Sequence, residues 1–80
     1  KHEKLINMDI YKNFRVNVQL LRIEKGFSSK ELSKQLGFYE RRISNFEQSH
    51  KPTVEELMKI AEFFNVTTDE ILHKQAKVIF

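Results

Sequence analysis

Residues that break a helix are so scarce in this chain that they dictate its class. In 80 residues, glycine occurs only at Gly26 and Gly37 and proline only at Pro52, while apolar side chains recur at helical spacing almost throughout. Strands would need alternation and frequent turns, so the pattern specifies helices with a few interruptions. The hydroxyl residues that follow the interruptions agree. Ser28 with Glu31, Thr53 with Glu56 and Thr67 with Glu70 each form the pattern of a capping box, and each opens a helix.

These signals divide an all-α chain into five helices. Asp9 is expected to cap a first helix that carries Ile10, Phe14, Val18 and Leu21 on one face and ends at Gly26. A short second helix opens at Ser28, turns Leu32 and Leu36 inward and stops at Gly37, where a positive φ is expected. The third is expected over residues 40–48, with Tyr39 at its N-cap, Ile43 and Phe46 buried and Phe38 plugging the turn behind it. A polar loop through Pro52 leads to a fourth helix burying Leu57, Ile60, Ala61 and Phe64, and then to a short fifth with Ile71 and Leu72 apolar. Residues 9–73 thus read as one domain, between an N-terminal extension, 1–8, and an apolar C-terminal tail, 74–80.

The side-chain inventory narrows the function. There is no cysteine, and His2, His50 and His73 are too widely spaced for a metal-ligand motif, so neither metal nor cofactor is expected. No paired carboxylates and no nucleophile with its base suggest catalysis or a small-molecule substrate, so the chain is not expected to be an enzyme. No apolar stretch is long enough for a membrane span or a signal core, which gives a cytoplasmic expectation. The net charge is only +3, but its distribution is uneven: residues 1–27 carry six Lys/Arg against three acids, 28–51 five against three, and 52–72 one against five. Cations gathered away from one acidic segment suit a protein with a side that faces a polyanion.

Residues 27–48, Phe-Ser-Ser-Lys-Glu-Leu-Ser-Lys-Gln-Leu-Gly-Phe-Tyr-Glu-Arg-Arg-Ile-Ser-Asn-Phe-Glu-Gln, place two short amphipathic helices around a turn at Gly37. Small Ser33 lets them cross closely, and Leu32, Phe38 and Ile43 set their angle, as in a helix-turn-helix. The stretch resembles the Cro and lambda-repressor-like, or xenobiotic-response-element (XRE), family. The likeness runs from about Asp9 to Leu72 through Arg22, Glu31-Leu32, Leu36-Gly37, Ile43-Ser44, Glu47, Pro52, Leu57, Ile60-Ala61 and Asn65-Val66. Three positions depart from the family pattern: Ser29 replaces its usual Gln, Tyr39 its Ser or Thr, and Gln48-Ser49 its Asn-Gly.

The resemblance implies a compact five-helix DNA-binding domain whose second and third helices form the helix-turn-helix. It implies a sequence-specific transcriptional regulator of double-stranded DNA, with repression the expected role. Glu40, Arg41 and Asn45 are then the base-reading residues, with Arg42 nearer the backbone. Arg41 can fork onto guanine, Asn45 can pair with adenine and Glu40 can accept from cytosine. Phosphate contacts are expected from Ser28, Ser29 and Lys30 at the start of helix two, from Tyr39 and Arg42, and from Gln48, His50 and Lys51. The resemblance also makes Arg22 and Glu47 a structural ion pair tying helix one to the end of the recognition helix. An antitoxin or immunity-type regulator, or a module whose main partner is another protein, remains an alternative.

One feature exceeds what a core requires. Val16, Leu20 and Ile23 fall opposite the first apolar stripe of helix one. They are expected to meet a terminus, through residues such as Val78 and Phe80, or a second copy in a homodimer that reads a palindromic operator.

Overall fold

A computed structural model describes residues 10–73, and Asp9, Val78 and Phe80, with the expectations placed on them, lie outside that range. The described residues form five helices and no strand: α1 (Ile10–Glu24), α2 (Ser29–Gln35), α3 (Arg42–Gln48), α4 (Val54–Phe64) and α5 (Thr68–His73).

The helix starts follow from local chemistry. Ser28 Oγ accepts from the Glu31 amide at 3.0 Å while the Glu31 carboxylate accepts from the Ser28 amide at 2.8 Å. Thr53 with Glu56 and Thr67 with Glu70 repeat the reciprocal pair at the starts of α4 and α5. Each box satisfies two amides that a helix leaves unpaired at its first turn. Gly26 and Gly37 take φ of 80° and 77°, letting the chain turn back after α1 and α2. Asn65, at φ 58°, does the same after α4, where no glycine is present.

The third helix begins later than expected. Tyr39 is not its N-cap: residues 39–42 form a turn in which the Arg42 amide donates to the Tyr39 carbonyl at 3.0 Å, and Arg41 occupies the cap position without a side-chain cap bond. A phenol on a rigid ring cannot fold back on the first helical amides as a Ser or Asp oxygen does. The missing cap is supplied from α2, where buried Ser33 accepts from the Ile43 amide at 3.1 Å. Ser33 is therefore more than a small residue at a crossing.

The core gathers one stripe from each helix. Phe14, Val18, Leu32, Ile43, Phe46, Ile60 and Ile71 are fully buried, with Leu21, Leu36, Ala61 and Phe64 nearly so. Leu57 and Leu72, expected inside, are only half-buried and pack on the core's edge. Burying each large side chain contributes about 1.5–3 kcal/mol. Phe46 sits centrally, meeting Phe14 edge-on at 5.5 Å and Phe38 at 6.3 Å. It thereby fixes α3 against α1 and against the turn that precedes it.

A polar seam joins α1 to α5. Buried Asn17 donates to the Ile71 carbonyl at 2.8 Å, and Asn13, one turn earlier, donates to the Leu72 carbonyl at 2.9 Å. Carbonyls in the last turn of a helix lack intrahelical partners, so two asparagines four residues apart act as a cap supplied across the fold.

Candidate nucleic-acid interface

The burial of Ile43 and Phe46 sets which side of α3 faces outward. At 100° per residue, Arg41, Ser44, Asn45 and Gln48 fall together on the other side. Arg41 and Gln48 are exposed, and Asn45 is half-buried. Glu40 and Arg41 lie in the turn before α3 rather than on the helix itself.

The surroundings of Asn45 were not foreseen. Its Nδ2 donates to the Tyr39 hydroxyl at 3.1 Å, and Arg42 Nη1 reaches the same oxygen at 3.5 Å. Arg42 is held from behind by Glu56, which accepts from its Nε at 2.7 Å and its Nη2 at 2.6 Å. The guanidinium also lies over the Phe46 ring at 4.4 Å and near Tyr39 at 5.8 Å. This cation, expected at a phosphate, is thus engaged in a bidentate pair within the protein. Bonds from Arg42 pull the Glu56 carboxyl down to about 2, and the same pairing raises Arg42 above its ordinary range. Glu56 also closes the capping box of α4, so one carboxylate fastens two elements.

The other named residues surround this cluster. Ser28 has its amide and hydroxyl oxygen engaged in the capping box with Glu31, and Ser29, half-buried, opens α2. Lys30 is largely exposed, 3.8 Å from Glu40. His50 and Lys51 are exposed in the loop after α3, where Lys51 Nζ sits 4.7 Å above the Tyr11 ring of α1. Tyr11 was missed because a lone tyrosine on helix one carries no motif.

Arg22 and Glu47 meet as a bidentate pair. Arg22 Nε and Nη2 donate to the two Glu47 oxygens at 2.7 and 2.9 Å, and Nη1 donates to the Phe27 carbonyl at 2.9 Å. The side chains are only 15% and 11% exposed. One guanidinium therefore links α1, the turn before α2 and the end of α3.

No group of His, Asp or Glu among the described residues could hold a metal ion, and no described helix is long and apolar enough to cross a membrane.

Two short helices crossing through Ser33 and locked by Leu32, Phe38 and Ile43 define a helix-turn-helix, a DNA-binding unit of transcription regulators. Residues 18–71, more than half of the chain, match the family described as helix-turn-helix, of the XRE type, and the protein belongs to it. That family is a DNA-binding regulatory one, generally without enzymatic activity, and its members bind double-stranded DNA. No curated protein and no solved structure matches the chain.

Proposed function

We propose that the protein is a cytoplasmic, sequence-specific repressor that lays α3 in the major groove of a palindromic operator and binds it as a homodimer. The observation that carries this reading is the division of α3, with Ile43 and Phe46 fully buried on one side and Arg41, Asn45 and Gln48 on the other. Arg41 offers two N–H groups to guanine, Asn45 an acceptor and a donor to adenine, and Glu40 an acceptor to a cytosine amine. Ser28, Ser29, Lys30, Tyr39, Gln48, His50 and Lys51 supply phosphate contacts, which carry no sequence information but provide most of the affinity. Arg42 contributes there only with the N–H groups that Glu56 and Tyr39 leave over.

The test is a binding titration on a duplex enriched from a random-sequence pool. Asn45→Ala and Arg41→Ala should each weaken specific binding by about 1–3 kcal/mol and relax preference at one base pair. Lys51→Ala should weaken every sequence alike and lower the salt slope. Equal losses on enriched and random duplex for Asn45→Ala would remove it from the base-reading set.

The dimer reading rests on Val16, Leu20 and Ile23, which are 44%, 39% and 56% exposed on α1. Three large apolar side chains on one helix face favour burial against a second copy, and a twofold axis suits half-sites about one helical turn apart. Sedimentation should show dimers for the intact chain and monomers for Leu20→Lys. Monomers in both, with unchanged DNA binding, would leave the stripe without this role.

A further inference from the structure

Tyr39 stands where the family pattern has a small hydroxyl residue, and its phenol oxygen is the meeting point of two donors, Asn45 Nδ2 at 3.1 Å and Arg42 Nη1 at 3.5 Å. We propose that Tyr39 is a specificity-determining positioning residue, whose hydroxyl holds the Asn45 amide in the orientation that accepts adenine and disfavours guanine. This rests on the reading of Asn45 as a base-contacting residue.

The argument is one of donor and acceptor supply. A side-chain amide has two N–H donors and one oxygen. With one N–H engaged by Tyr39, Asn45 keeps one donor and its oxygen, which match the N7 acceptor and N6 amine of adenine. Guanine presents two acceptors, N7 and O6, and meets them best with two donors. A free asparagine can turn its amide to offer both N–H groups. One held at Tyr39 cannot do so without losing a bond.

The oxygen that does the holding is itself fixed. Arg42 is clamped by two short bonds to Glu56 and lies over the buried Phe46 ring, so the phenol rests against a cation anchored to the core. The two donors also lower the Tyr39 pKa, first Asn45 and then Arg42, as expected for an oxygen acting as acceptor. The chain from Glu56 through Arg42 and Tyr39 to Asn45 thus runs from α4 to the outward side of α3.

Tyr39→Phe tests this directly, because it removes the oxygen and keeps the ring at an exposed position. On the enriched duplex and on duplexes carrying G·C for A·T at each position, the variant should lose about three- to tenfold of the adenine preference at the position that Asn45→Ala relaxes. Preference elsewhere and binding to random duplex should stay as in the wild type. In the free protein, the side-chain amide proton signals of Asn45 should shift, a readout independent of DNA. If Asn45→Ala relaxes a position while Tyr39→Phe leaves that preference and those signals unchanged, the positioning role is overturned and base reading stands. If Asn45→Ala relaxes no position, the base-reading assignment fails, and this inference with it.

Discussion

Replacing either Arg22 or Glu47 with alanine should destabilise the domain by about 2–4 kcal/mol, and replacing both should cost clearly less than the sum. The reason is what each single change leaves behind. Glu47→Ala strands a guanidinium that is only 15% exposed, still bound to the Phe27 carbonyl but without its counter-charge. Arg22→Ala strands a carboxylate 11% exposed and also releases that carbonyl, so it should be the worse of the two. The double variant removes both charges and their desolvation cost together. Arg22→Lys should not rescue, since an ammonium cannot serve two carboxylate oxygens and a carbonyl in fixed fork geometry. Total stability is about 5–15 kcal/mol for domains in general, with small ones toward the lower end, so either single variant approaches the unfolding threshold. Urea melts of the four proteins measure the coupling, and strict additivity would show that the bond distances overstate it.

How much of this was readable from the sequence depends on how far each interaction reaches along the chain. Ser28 with Glu31, Thr53 with Glu56 and Thr67 with Glu70 are separated by three residues, so a pattern match finds them and the helix starts follow. Gly26 and Gly37 announce their turns by residue type alone. The start of α3 was misplaced because its cap comes from Ser33, ten residues earlier on another helix. Asn13 and Asn17 look like ordinary polar positions on α1, and only the fold brings α5's last carbonyls to them across more than fifty residues. At the site, the residue types on α3 were legible, and Arg22 with Glu47 came through the family likeness. The partners of Arg42 and Asn45 were not, because a charge pattern shows that Glu56 is available without showing that it faces Arg42.

Glu56 should make stability depend on acid in a way that separates its two roles. Its carboxyl is held at about 2 in the folded protein, below the ordinary carboxylate range of an unfolded chain. A depressed carboxyl contributes stability that is fully present above the unfolded value and is lost as pH falls through the folded one. The window for this loss therefore opens at about pH 5 and extends down toward pH 2. Glu56→Gln keeps a side chain that can still accept from the Thr53 amide, as a capping box allows, but removes the charge opposite Arg42. At about pH 6 that variant should be less stable by about 1–3 kcal/mol, the range for hydrogen bonds to charged groups. Glu56→Ala should lose a further ~0.5–1 kcal/mol with the cap. As the wild-type carboxylate is protonated, the gap between wild type and Glu56→Gln should close, because both then present a neutral side chain to Arg42. Because Arg42 braces Tyr39 at 3.5 Å, the same variant should also reduce adenine preference at the Asn45 position, though less than Tyr39→Phe does. A stability gap that stays constant from about pH 6 to about pH 2.5 would mean that the ion pair contributes nothing and that Glu56 serves α4 alone.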